Sequence, residues 1–276
     1  MALNGNYTGN FNLYKPSLQD SPPDITATNG NWDKIDTELN NLAKSNLPLN
    51  IREKLPSAVA TTEIKNVYIS TTGNDTADGT TDKPLKTITS AIARFGGSHR
   101  LVLHFNAGTY TEVNPIEVSG CTSVEMVVVG TAKVTINVPY VQYGGYFTAN
   151  GIAFTGSTGE TRDAITLNGV SAHIDTCTFS TPTTGVVFRN GSVGFVTNGL
   201  FTDCARAVWS MNGSYVSCQS ISGTGNTEGY RATSAMISVG TSTLEATTLA
   251  SKYGGGVIFR GGNLIGTTAN TFVNAT

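Results

Sequence analysis

Between about Ala164 and Ile265 the chain alternates short apolar runs with polar residues, and the alternation returns at a fixed interval. Ala164-Ile165-Thr166-Leu167-Asn168-Gly169 leads through Ala172-His173-Ile174-Asp175 to Phe179, and Gly185-Val186-Val187-Phe188-Arg189-Asn190-Gly191 leads to Phe201. A third copy, Ala207-Val208-Trp209-Ser210-Met211-Asn212-Gly213, ends near Ile221. Asn168, Asn190 and Asn212 are each 22 residues apart. Ala235 to Gly240 and Gly256 to Gly262 align as a fourth and a fifth copy, with an insertion of about five residues placed in Gly223 to Arg231. Alternation with period two predicts strands, and Asn-Gly supplies the positive φ of a corner between them. No segment has room for a crossover helix. A strand-only unit repeated at this length predicts a parallel β-helix, in which each coil buries its apolar face against its neighbours. Antiparallel hairpins are the second reading, and the fixed repeat length has no place in it. A leucine-rich repeat has a similar length, but its leucine and asparagine ladder is absent.

Composition narrows the function classes. Charged residues make up 13% of the 276 residues and the net charge is −2, below the usual quarter. That argues against nucleic acid or an anionic membrane as the main partner. No run of 18 apolar residues and no secretory leader stands out, so assembly in a cytoplasm is expected. The four cysteines, Cys121, Cys177, Cys204 and Cys218, form no C-x-x-C pair, and the three histidines lack zinc spacing. Buried, reduced thiols are expected, with no metal and no cofactor.

Residues 1–45 differ in character. A polar, turn-rich arm is followed by Trp32, Ile35, Leu39 and Leu42, spaced 3, 4, 3 as an a/d seam on one helix face. Early acids and the late Lys44 match the helix dipole. A helix this short needs a partner face, either its own β-domain or two further copies in a trimeric bundle. Asn12-Leu13-Tyr14-Lys15-Pro16 with Asn31-Trp32-Asp33-Lys34-Ile35-Asp36 resembles the N-terminal attachment module of tail-fibre or appendage proteins from phages and prophages of Gram-positive bacteria. Residues 46–65 are expected as a linker and 66–276 as the β-helix.

A strand at Val67-Tyr68-Ile69 precedes an Asn/Asp/Gly turn at residues 73–79. A short helix follows, on which Ile88, Ala91, Ile92 and Phe95 share one face. This stretch resembles the N-terminal cap of pectin-lyase-like right-handed β-helices, found in polysaccharide enzymes and phage tailspikes. The helix would cover the apolar cross-section of the first coil. Asp75 to Gly79 is taken as a structural turn rather than a calcium loop, since the later ligands are missing. Room remains for eight or nine coils, a rod on the order of 40 Å. The fold class expected is all-β: a right-handed parallel β-helix with a short α-helical N-terminal module.

The candidate chemistry is sparse. Glycoside hydrolysis needs two carboxyl groups about 5–10 Å apart. Among Glu160, Asp163, Asp175, Asp203, Glu228 and Glu245, none falls on another acid after a shift of one period. Glu160, Arg162 and Asp163, and likewise Asp203 and Arg206, look like turn residues and surface ion pairs. No catalytic residue is assigned. Tyr140, Tyr143 and Tyr146 crowd one turn and are candidates for contact with a glycan or with another subunit. The expectation is a structural virion protein, a tail-fibre or baseplate appendage assembled in the bacterial cytoplasm. It would be a homotrimer, docked through residues 1–45 to other tail or baseplate proteins, with a host cell-surface glycan as a further candidate partner. A tailspike-like polysaccharide depolymerase is the alternative.

Overall fold

The computed structural model describes residues 64–121, 123–131, 133–156 and 163–260, and the backbone of three short strands, Asn6–Tyr7, Tyr14–Lys15 and Phe272–Asn274. The chain divides into two units, Met1–Val59 and Ala60–Thr276. In the first, Asn6–Tyr7 pairs antiparallel with Tyr14–Lys15. The seam of Trp32, Ile35, Leu39 and Leu42 lies outside the described residues.

The second unit is a parallel β-solenoid in which every described strand pairs with its counterpart one coil away. A first sheet stacks Ile64–Ile69, Arg100–Phe105, Ser123–Val128, Tyr146–Asn150, Ser171–Asp175, Val193–Thr197, Tyr215–Gln219, Met236–Val239 and Val257–Arg260. From Arg100–Phe105 onward, first-sheet strands turn into a short strand of a second sheet, such as Thr178–Ser180 or Leu200–Thr202, and next into a third, such as Thr184–Arg189 or Arg206–Met211. Among the described residues seven coils are complete in all three sheets. Near the C-terminal end the corner between the second and third sheets straightens. Ile221–Thr233 and Ser242–Tyr253 each run through both sheets as one strand, which merges the two sheets there.

The pairing register follows the sequence period. Phe179 pairs with Phe201, and Ser171 with Val193, each 22 residues on. The inward side chains form files along the stacking direction. Phe154, Phe179 and Phe201 are stacked at 5.4 and 4.6 Å between ring centres, all three buried. Small residues sit where a neighbouring ring needs room: a Cβ on Gly194 would fall 2.5 Å from Phe188 Cε1. Buried polar side chains tie the corners. Gln142 accepts from the Tyr140 hydroxyl at 2.7 Å and donates to the carbonyls of Gly144 and Tyr146, both at 3.1 Å. Asn226 accepts from Cys204 N and donates to the carbonyls of Phe201 and Glu245, joining three coils. The Asn-Gly corners carry the expected left-handed residues, Asn190 at φ 55° and Asn212 at φ 53°. Their amides form a ladder: Asn190 Nδ2 donates to Asn168 Oδ1 at 3.0 Å, and Asn212 Nδ2 to Asn190 Oδ1 at 3.1 Å.

One part of the repeat alignment is corrected. Ala235 to Gly240 is not the next copy of Ala207 to Gly213. Met236 pairs with Tyr215 in the first sheet, while Val208 of the third sheet pairs with Tyr230. Gly213 N donates to Ser234 O, so the true copy of the third repeat is 229–234 and the spacing stays at 21 to 22. No five-residue insertion exists between Gly223 and Arg231. The error arose because Tyr230-Arg231-Ala232-Thr233 has lost the Asn-Gly marker, whereas Val239-Gly240 imitates it on another face.

The helix Ile88–Phe95 packs against the first and third sheets at the N-terminal coil. Ile88 and Ala91 are buried, and Ile92 and Phe95 lie against the core. Thr87 Oγ1 caps the helix by accepting from Ser90 N at 3.1 Å. Glu112, from the first coil, accepts from Ile88 N at 2.6 Å and from Thr89 N, an anion on the positive end of the helix. Asp75 accepts from the amides of Lys86 and Thr87, at 2.9 and 2.8 Å, which makes its turn a structural one.

Candidate functional site

Because side chains alternate across a strand, each sheet shows one set of residues to the core and the other to the outside. The three outer surfaces differ in chemistry. The second sheet is dominated by hydroxyls, with Thr109, Thr135, Thr178, Ser222 and Thr243 in file and Leu200 the large apolar exception.

The third sheet carries charge locked to aromatic rings. Glu228, largely buried, accepts from Arg206 Nε at 3.0 Å, lies 3.5 Å from Arg231 Nη1 and also accepts from the Ser251 hydroxyl. Both guanidinium groups lie 4.9 Å from the Trp209 ring centre, and Arg231 lies 4.3 Å from that of Tyr253. The ion pair expected between Asp203 and Arg206 is replaced by this one, because register places Arg206 beside Glu228 in the next coil. Asp163 pairs with Arg189 at 3.4 Å. Glu160 and Arg162 lie outside the described residues.

The first sheet presents an apolar, nearly uncharged face. Two outward files run along it: Tyr146, Ser171, Val193, Tyr215, Met236, Val257, and Thr148, His173, Phe195, Ser217, Ser238, Phe259. Tyr146, Val193, Phe195, Met236, Val257 and Phe259 are each between 38% and 53% exposed. The Arg100–Glu125 ion pair lies beyond its N-terminal end. At one edge of the face His173 Nε2 lies 3.3 Å from Thr197 Oγ1, which itself donates to Asp175 Oδ1 at 2.6 Å. Asn198 Nδ2 donates to the same oxygen at 2.9 Å. These bonds, that from Thr197 foremost, hold the Asp175 carboxyl below its usual range. A carboxyl held low is a weak base for the Thr197 proton, so the arrangement fixes side chains rather than activating a nucleophile.

The tyrosine cluster does not stay together. Tyr140 points inward and is fully buried, stacked on Phe147 at 4.8 Å. It is removed from any surface contact, since its place in the third sheet has inward parity with Ile165 and Val186. Tyr143 and Tyr146 are about half exposed, Tyr143 on the third sheet and Tyr146 on the first. Sequence reasoning missed Phe195, Phe259, Val193, Met236 and Val257. The signal was available in the comparison of two coils: where Ser171-Ala172-His173-Ile174 places Ser and His outward, Val193-Gly194-Phe195-Val196 places Val and Phe in the same positions.

A separate concavity of about 210 Å³ lies where the second and third sheets meet. Glu112, Val113, Asn137, Pro139, Asp163 and Pro182 are among its lining residues. It holds two carboxylates, each already engaged, Glu112 by the helix amides and Asp163 by Arg189. Among the described residues no group of three metal-ligating side chains occurs, and no helix is long and apolar enough to cross a membrane. The four cysteines are all buried and free.

No curated protein matches this sequence. Among solved structures, the chain is similar to the native GH136 lacto-N-biosidase from Eubacterium ramulus, at 9% identity and a TM-score of 0.34 over 86% of this chain. It spans only 59% of that enzyme's length. It is also similar to pectate lyase Pel9A, at 13% identity and a TM-score of 0.25, over 78% of this chain and 80% of that one. Neither likeness carries an argument about what this chain does. The family model described as "Protein of unknown function (DUF1565)" matches residues 71–270. Since that match spans well over half of the sequence, the chain belongs to the DUF1565 family.

Proposed function

We propose that this protein is a structural subunit of a virion-type particle, a tail-fibre or baseplate appendage of a phage or phage-like tail assembled in a bacterial cytoplasm. Residues 1–45 dock it to other tail or baseplate proteins. The solenoid forms the body, associates as a homotrimer and meets the host surface. The observation that carries this reading is the apolar face of the first sheet. Six large side chains stand half exposed in two files along the stacking direction, and exposed apolar side chains gathered on one face mark an interaction site. The resemblance of Asn12 to Pro16 and Asn31 to Asp36 to appendage attachment modules supports the same reading. The side chains that interlock adjacent coils, the Asn168–Asn190–Asn212 ladder and the Arg206–Glu228 pair, suit a stiff shaft.

The test is a particle carrying the chain without residues 1–45. The solenoid should fold with an unchanged far-ultraviolet spectrum and be absent from purified particles. Incorporation at the full-length level would overturn the docking role.

The concavity with Glu112 and Asp163 favours a second reading, a polysaccharide depolymerase. Incubation with capsule and with teichoic-acid-bearing cell wall, measuring both binding and release of reducing ends, separates the two. The appendage reading expects no product. Product formation abolished by Glu112→Gln or Asp163→Asn would replace it with the enzyme.

A further inference from the structure

We infer that the outer face of the first sheet, from Tyr146 to Phe259, is where copies of this chain pack against one another, side by side and parallel. The inference rests on the appendage reading and names the partner of its apolar face. Phe and Tyr offer on the order of 150–250 Å² each. With about half of each side chain exposed, Tyr146, Val193, Phe195, Met236, Val257 and Phe259 together present on the order of 500 Å² of apolar surface. Ser171, Tyr215 and Ser238 between them enlarge the patch toward the ~800 Å² per partner of a standard stable interface.

Charge selects the occupant. Copies related by an axis parallel to the stacking direction bring each level of one coil stack against the same level of another, so a charge on that face meets its own sign. The two central files carry no Asp, Glu, Lys or Arg between Tyr146 and Phe259. The third sheet, with Arg189, Arg206, Arg231 and Glu228, could not be apposed to itself so simply. A glycan fits less well. Aliphatic Val193, Met236 and Val257 offer a sugar hydroxyl no hydrogen bond, and the nearby polar groups of Thr197 and Asp175 are already bonded to each other. Aromatic residues and Met are enriched in protein interfaces.

The experiment uses the full chain. Sedimentation at micromolar concentration should give an oligomer, and the double variant Phe195→Lys with Met236→Lys should sediment as a monomer with an unchanged β-sheet spectrum. Val193→Cys, in an otherwise unaltered chain, should be joined to a second copy by a short bismaleimide, since the four native thiols are buried. Leu200→Cys, equally exposed on the second sheet, should not. The cross-link decides if the lysine variant fails to fold. A monomeric full-length chain, or an oligomer in which Val193→Cys is not linked, overturns the inference. In the second case the appendage reading survives, with its contact on another face. A monomer whose glycan binding is lost on Phe195→Ala would assign the face to sugar instead.

Discussion

Phe201→Ala tests the packing of the solenoid interior at its most regular point. Phe201 is fully buried and stacked on Phe179 at 4.6 Å with the rings 9° from parallel. Phe179 is in turn stacked on Phe154. Losing the ring removes most of a side chain worth roughly 25 cal/mol per Å² of apolar burial and leaves a cavity between coils that strand pairing holds apart. The expected loss is about 3–5 kcal/mol. Gly199 supplies the control. A Cβ there would fall 2.9 Å from Phe201 Cε2, 3.3 Å from Ile221 Cδ1 and 3.5 Å from Val196 Cγ1, with only side chains in the way. Gly199→Ala alone overpacks the corner, at a cost of about 1–3 kcal/mol. In the Phe201→Ala background the closest obstacle is gone, and the added methyl occupies part of the cavity. The two changes should therefore be strongly non-additive. Urea unfolding of the four proteins, followed by far-ultraviolet ellipticity, measures the cycle. A loss below about 1 kcal/mol for Phe201→Ala, or an equal effect of Gly199→Ala in both backgrounds, would refute the packing argument.

Two further outcomes concern titration. The Asp175 carboxyl is held below its usual value near 3.8, chiefly by the Thr197 hydroxyl. A depressed folded pKa gives stability that is present above the unfolded value and lost as pH falls through the folded one. Asp175→Asn should thus lower stability in the neutral region, flatten the acid limb below about pH 4 and let the two proteins converge in acid; an unaltered acid limb would contradict the Thr197 and Asn198 contacts. Burial pushes the Cys177 and Cys204 thiols up to about 12 and raises Cys121 and Cys218 as well. A disulfide reagent at pH 8 should label none of the four in the native protein and all four in denaturant, and rapid native labelling would show that a coil opens.

The sequence by itself determined the coil. Its period of 22, its Asn-Gly corners and its polar-apolar alternation are local properties, repeated through the coils of Asn168, Asn190 and Asn212, and a parallel stack is the arrangement that buries their inward apolar residues without a crossover helix. The equivalence of Phe179 and Phe201 and the apolar helix face of Ile88 and Ala91 followed from spacing, and the helix's place as a cap from the resemblance of that stretch to β-helix caps. What the tertiary structure decided was parity and register where the markers fade. Tyr140, Tyr143 and Tyr146 look alike in sequence, yet the third-sheet strand turns Tyr140 into the core and the following corner separates Tyr143 from Tyr146 onto two faces. Likewise Tyr230-Arg231-Ala232-Thr233 carries no Asn-Gly, and only its pairing with Val208 to Met211 identifies it as the next coil. The apolar face of the first sheet belongs to the same class. Val193, Phe195, Met236 and Phe259 are far apart along the chain and individually indistinguishable from core residues. Stacking at one coil per level is what gathers them onto one exposed surface, because a single residue's shift in register would have turned each of them inward.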